Sequence, residues 1–227
     1  DRNIQLMADG LLTRQALSLI AAPLLDCLTQ TPDPDAALVG FSRYLATRVP
    51  KSSFLRYLRD DPSTLQILTH LLGTSPFLTE ILIRNPEYLH WLQQQLEKPP
   101  PSMLDYIAEL DELLVTTSNT KQQLDALKRL QRRELLRIAG RDILGRDSLQ
   151  AVTFQLSNLA TIVTDGALRI SCEQNLTAAR LERLPGTFAV IAMGKLGGQE
   201  LNYSSDIDLL YIYTYVFFFV FIVFIKF

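Results

Sequence analysis

Histidine, cysteine and tryptophan are scarce in this 227-residue chain, which has two, two and one of them respectively. The cysteines, Cys27 and Cys172, lie far apart and form no metal-ligand or CxxC spacing, which excludes a zinc ribbon or a dithiol redox centre. They are expected to be buried thiols of a cytoplasmic protein. His70 and His90 stand in helical contexts without a second ligand nearby, so they are expected to be structural, and no nucleophile triad is found. A basic excess is absent as well. Lys and Arg number 22 against 24 Asp and Glu, a net charge of −2, whereas nucleic-acid-binding domains are usually basic, so no nucleic-acid partner is expected. No N-terminal signal is evident, because Leu11-Leu12 and the run from Leu17 to Leu25 are interrupted by Arg14, Gln15 and Asp26. Methionine is missing from position 1, giving the expectation of an incomplete N-terminus. No acidic residue follows Asp208.

What is present is ample apolar material, 48% of the chain, arranged mostly at helical spacing. Helical patterns run from Arg2 to Leu28, Phe41 to Val49, Phe54 to Arg59, Ser63 to Leu72, Ser75 to Ile83 and Pro86 to Leu96. Thr31-Pro32-Asp33-Pro34-Asp35, Pro50, Asp61-Pro62, Gly73 and Asn85-Pro86 punctuate them. Lys98-Pro99-Pro100-Pro101 is too stiff and too poor in donors for helix and predicts a linker or sharp surface turn. Met103 to Leu114, Lys121 to Ile143 and Ser148 to Gln174 read as further helices. In the middle one, Leu124, Leu127, Leu130, Leu135 and Ile138 form an apolar stripe. That helix also carries Arg133 and Arg137, one turn apart. They read either as a solvated face with ordinary i,i+4 pairs or as guanidinium forks closing over a phosphate.

Leu184-Pro185-Gly186 turns the chain into Phe188 to Met193, a short apolar run with strand character, and Ile207 to Tyr213 is a second. Between them lie Gly194, Gly197 and Gly198, then a polar stretch from Gln199 to Tyr203 that is expected to form a helical turn. Alternation along the second strand puts Asp206 and Asp208 on one face and Ile207 and Leu209 on the other. Two carboxylates about 4 Å apart repel by about 4 kcal/mol at an effective dielectric near 20, a cost that a divalent cation removes. Magnesium suits this pair, since it takes oxygen ligands and is usually held by one or two carboxylates together with substrate phosphates. Glycines at 197 and 198 leave room for backbone N–H groups to approach a phosphate.

Gly194-Lys195-Leu196-Gly197-Gly198-Gln199-Glu200-Leu201-Asn202-Tyr203-Ser204-Ser205-Asp206-Ile207-Asp208-Leu209 closely resembles the bifunctional glutamine synthetase adenylyltransferase/adenylyl-removing family, within the DNA polymerase β-like nucleotidyltransferase superfamily. Upstream, Ser75 to Leu78, Asn85 to Leu89 and Leu130 to Asp142 resemble that family's N-terminal helical region. The resemblance covers roughly residues 41–213. It implies a mainly α chain, with a helical array over 1–147 and the start of an α/β nucleotidyltransferase domain over 148–227. In that domain a strand, a Gly-Gly turn, a short helix and a strand carrying Asp-x-Asp follow one another.

By the same resemblance this is the first of two catalytic domains, the one that removes AMP from an adenylylated tyrosine of glutamine synthetase by phosphorolysis and releases ADP. Asp206 and Asp208 would hold Mg2+, and Gly194, Gly197, Gly198 and Ser205 would line the phosphate pocket. Lys195 reads equally as a phosphate contact or a solvated turn lysine. The implied partners are glutamine synthetase, ATP or ADP and phosphate, with the nitrogen-signalling PII protein as a candidate regulator. Family sites use a third carboxylate on a later strand, and none follows Asp208, so the chain by itself is expected to be inactive. A PII-protein uridylyltransferase, with a similar Ser-Asp-Ile-Asp-Leu pattern, and an inert helical interaction module are the alternative readings.

The tail from Leu209 to Phe227 is almost wholly Phe, Val, Ile and Tyr. As one strand its 19 residues would reach about 63 Å, longer than a domain of this size, and as a helix about 29 Å, enough to cross a bilayer. Its residue types favour strand, and its codons would be rich in T and A. Authentic sequence is therefore expected to end near Thr214, with 216–227 an aberrant tail. A membrane tail and genuine core are the other two readings, and a membrane partner is not expected.

Overall fold

The computed structural model describes residues 10–117, 119–203 and 205–214. The expectations for the tail at 216–227 and for helix over residues 2–9 lie outside the described residues. The described chain is mainly helical, with one two-stranded antiparallel sheet. Its helices are α1 (Leu11–Thr29), α2 (Pro34–Ala46), α3 (Lys51–Asp60), α4 (Pro62–Thr74), α5 (Pro76–Arg84), α6 (Tyr88–Leu96), α7 (Met103–Thr116), α8 (Thr120–Ile143) and α9 (Leu149–Ala179). Strand β1 (Thr187–Met193), a one-turn helix α10 (Gly194–Gly197) and strand β2 (Asp208–Thr214) follow.

Three of the helix starts share one device. Asp33, Asp61 and Ser75 each precede a proline at the first helical position, and each accepts a hydrogen bond from the backbone N–H three residues on. The proline has no N–H to leave unsatisfied there, and the side-chain oxygen satisfies a donor that the helix cannot. Asn85-Pro86 looks alike but works differently. The Asn85 amide donates to Ile81 O at the end of α5, Tyr88 N donates to Asn85 O, and α6 begins only at Tyr88. The expected start at Pro86 was therefore two residues early. The helix expected at Phe41 starts earlier, at Pro34, because Asp33 is its cap, and it stops at Ala46.

The chain forms two compact units. Among the described residues, the first takes residues 10–99 and 139–146 and the second residues 100–138 and 147–214. One crossing lies in the proline run at 99/100. In the first unit, Ala16, Ile20, Leu24 and Leu28 of α1 recur at i,i+4, and α1 packs on α3 and α4. By length and hydropathy alone α1 could cross a membrane, yet this buried stripe is that of a helix packed on its neighbours. Tyr44 is fully buried, donates to Pro86 O at 2.7 Å, and meets Phe54 edge-on; burial pushes its hydroxyl up to about 12. Arg141 and Arg146 both donate to Leu96 O, satisfying the open carbonyl end of α6. Cys27 and Cys172 are unpaired thiols, half-buried rather than buried.

The second unit packs α7, α8 as far as Ile138, α9 and the sheet around one apolar core. The α8 stripe is shifted from the expected one: Leu127, Leu130, Leu136 and Ile138 are buried, while Leu124 is exposed and Leu135 only half-buried. A capping box between Ser102 and Asp105 starts α7, and Ser148 caps α9.

Asp61 tests the capping argument. Its carboxylate accepts from Thr64 N, Thr64 Oγ1, Ser63 Oγ and Gln93 Nε2. Burial acts to raise its pKa, but these hydrogen bonds outweigh it and hold the carboxyl down at about 2. Asp61→Ala is expected to cost about 1–2 kcal/mol in urea unfolding. With an unfolded value near 3.9, the carboxylate's contribution is complete above about pH 4 and is lost as pH falls through the folded value. The stability gap between wild type and variant should therefore close between about pH 4 and pH 2.

Candidate functional site

Strands β1 and β2 pair from Thr187↔Thr214 to Met193↔Asp208, so Asp208 stands at the end of the ladder, opposite the last residue of β1. Gly194 follows directly with φ +54°, a conformation that favours glycine, and a Cβ there would lie 3.0 Å from Asp208 Oδ2. The glycine thus sets the backbone against the Asp208 carboxylate. The helical turn forms at Gly194–Gly197 rather than over 199–203 as expected. Gln199, at φ +57°, cannot continue it, and Gln199 N and Glu200 N fold back onto Leu196 O and Lys195 O. At Gly197 a Cβ would sit 2.6 Å from Ala192 O, so only glycine lets the turn press onto β1. The Gly198 N–H, expected to face a phosphate, donates instead to Gly194 O at 3.0 Å and braces the turn.

Burial alternates along the acidic segment. Asp206 and Asp208 are exposed, while Ile207 and Leu209 are buried in the helical core together with Leu196 and Leu201. Asp206 itself precedes β2, which begins at Asp208. Lys195 Nζ lies 3.3 Å from Ser205 Oγ, which donates to Asn202 Oδ1, so two of the expected phosphate-side residues meet directly. Among the described residues no group of three or more His, Cys, Asp or Glu side chains could hold a metal ion. Asp206 and Asp208 offer exposed carboxylates, hard oxygen ligands of the kind that magnesium accepts when substrate phosphates complete its shell.

Arg133 and Arg137 are engaged with carboxylates and other side chains of the second unit rather than forming a solvated face. Arg137 is 2% exposed and donates through Nε to Glu134 Oε2 at 2.7 Å, through Nη1 to Gln155 Oε1 at 2.8 Å and through Nη2 to Tyr106 Oη at 3.2 Å. Tyr106 donates to the same Glu134 oxygen at 2.8 Å, and Gln155 donates to Asp147. Arg133 bridges Glu109 and Glu134. Burial, then the Glu134 charge, pushes the Tyr106 hydroxyl well up. At Arg133 burial acts the other way, and the two carboxylates outweigh it and raise its pKa. A phosphate-gripping arginine needs free donors, and those of Arg137 are committed inside the core. Only the i,i+3 spacing of Glu134 and Arg137 was readable beforehand. Nothing in the sequence joins Tyr106 to Glu134 or Gln155 to Arg137. His70 and His90 both belong to the first unit, whereas the segment 194–208 belongs to the second.

Arg137→Met would take one charge partner from the buried Glu134 and the donor from Gln155 Oε1, while Arg133 still pairs with Glu134 Oε1, with an expected cost of about 2–3 kcal/mol. When it is combined with Glu134→Gln, which removes the half-paired charge, urea denaturation should show the two changes to be less than additive.

A family model described as Glutamate-ammonia ligase adenylyltransferase matches residues 65–216, a stretch that contains all seven site residues named above. Among curated proteins, the bifunctional glutamine synthetase adenylyltransferase/adenylyl-removing enzyme of Mycobacterium tuberculosis (strain CDC 1551 / Oshkosh) is 33% identical over 202 residues, covering 86% of this chain and 20% of the relative. The protein of the same name from Nocardia farcinica is 34% identical over 205 residues with the same coverage. That from Corynebacterium glutamicum is 30% identical over 211 residues, 91% of this chain and 20% of the relative. The chain therefore spans about a fifth of the length of the curated relatives it matches.

Proposed function

The chain belongs to the glutamate-ammonia ligase adenylyltransferase family, and on that premise we propose that it is part of an enzyme controlling glutamine synthetase by adenylylation and deadenylylation. Within that enzyme the segment from Gly194 to Asp208 is the front of a nucleotidyltransferase site, and the reading extends to the deadenylylating reaction. The observation that carries it is the exposed pair Asp206 and Asp208 around buried Ile207, with Asp208 set against the Gly194 backbone. The working location of such an enzyme is the cytoplasm, where nucleotide, phosphate and glutamine synthetase meet.

In this reading Asp206 and Asp208 would hold Mg2+, which when bound would neutralise charge on the transferring adenylyl phosphate. Lys195, beside Ser205, contributes a positive charge on the phosphate side of the pair. Gly194 and Gly197 keep the turn close to the carboxylates and to β1, where side chains would block it. The overall reaction breaks the bond between tyrosine oxygen and adenylyl phosphorus and forms one between that phosphorus and an oxygen of inorganic phosphate. The tyrosine oxygen takes up a proton, and the products are ADP and free tyrosine on glutamine synthetase. PII protein is the proposed regulatory partner of the whole enzyme.

Isothermal calorimetry of the 227-residue chain with ADP should show magnesium-dependent heat that Asp208→Ala abolishes, with UDP bound at least about tenfold more weakly. The same chain should release no ADP from adenylylated glutamine synthetase in phosphate, since it supplies two carboxylates and not three. Absence of magnesium-dependent binding by the wild type would contradict the proposal.

A further inference from the structure

Ser157 lies in the interior of α9, 2% exposed, and neither the carboxylate pair nor the glycine turn accounts for it. Its Oγ donates to Thr153 O at 2.8 Å, one turn back along the helix, and accepts from Leu201 N at 3.1 Å. The first bond fixes the hydroxyl rotor, so that a lone pair faces out of the helix toward the loop. The second takes the amide of a residue that is itself buried, in a stretch with neither helix nor ladder to satisfy it. A serine inside a helix is slightly unfavourable, and one bonded back to its i−4 carbonyl more so, which leaves its presence there unexplained by α9 alone.

What it fixes is the middle of the candidate site. Leu201 stands between the glycine turn and the acidic pair, and its neighbour Asn202 accepts from Ser205 through both its backbone oxygen, at 3.3 Å, and its side chain. Ser205 in turn meets Lys195 and precedes Asp206. One hydroxyl on α9 is thus linked through Leu201 and Asn202 to Ser205 and, through it, to Lys195. We propose that Ser157 is a positioning residue that clips Leu201, between the glycine turn and the acidic pair, to α9 and so sets the carboxylates and the Lys195–Ser205 pair in register for metal and phosphate. This rests on the metal-binding reading given above.

The test uses the 227-residue chain with Ser157→Ala and Ser157→Thr, the latter keeping the hydroxyl. Two readouts are taken below the melting temperature of each: hydrogen exchange at the Leu201 amide, and Mn2+ affinity by electron paramagnetic resonance. In Ser157→Ala, Leu201 exchange is expected to rise about tenfold or more while the buried α7 and α9 amides keep their protection, and Mn2+ affinity to fall about five- to tenfold. Ser157→Thr should restore both. Unchanged Leu201 exchange in Ser157→Ala would overturn the clip. Freed exchange with undiminished Mn2+ affinity would reduce Ser157 to a structural bond and overturn the positioning role. A wild type that takes up no Mn2+ would overturn the metal reading, while Leu201 exchange still decides separately whether the clip exists.

Discussion

Burial of Leu196, Leu201, Ile207 and Leu209 in the core built by α7, α8 and α9 is the constraint on which the rest of the second unit depends. None of the four is more than 6% exposed, and each contributes about 2 kcal/mol by leaving water. They are spaced so that the residues with chemistry fall between them: Lys195 and Gly197 flank Leu196, and Asp206 and Asp208 flank Ile207. A fifteen-residue segment made mostly of turn and loop would cost too much conformational entropy to hold in one arrangement without such anchors. The apolar positions fix the backbone, and the polar ones are displayed as a consequence.

The same economy shapes the polar interior. Glu134, Arg137, Tyr106 and Gln155 form a buried network whose members satisfy one another's donors and acceptors across three helices. Such networks add little net stability over an apolar core, but they penalise any misregister of the helices, because each slipped partner leaves a charge or hydroxyl unpaired. That restricts how α7, α8 and α9 can pack, and hence where the surface that receives Leu201 and Ile207 lies. The arginines that look best suited to phosphate serve the platform instead.

Much of this was legible in the sequence, for physical reasons that differ by element. Long helices announce themselves through repeated apolar spacing and through Asp-Pro and Ser-Pro starts, which act within a few residues. The burial of Ile207 and Leu209 that leaves Asp206 and Asp208 exposed is equally local, since it follows from a period-two apolar pattern, although only Asp208 of the two acids lies in β2. Illegible were features set by distant partners: the shift of the α8 stripe toward Leu136, the fate of Arg133 and Arg137, and the demand for a hydroxyl at Ser157. The sequence places the helical turn at 199–203 rather than 194–197, because glycines at 197 and 198 read as room for a phosphate. Here Gly194 and Gly197 are the residues that let a turn form against β1 and Asp208.

If buried anchors hold the carboxylates in place, then weakening one anchor should weaken metal binding even though both carboxylates remain. Mn2+ affinity of Ile207→Ala against wild type, measured where far-ultraviolet circular dichroism shows both folded, tests this most directly. A clear loss of affinity is predicted. Equal affinity in the two proteins would mean that Asp206 and Asp208 bind metal without being positioned by the core, and absence of binding in both would mean that they are not a metal pair at all.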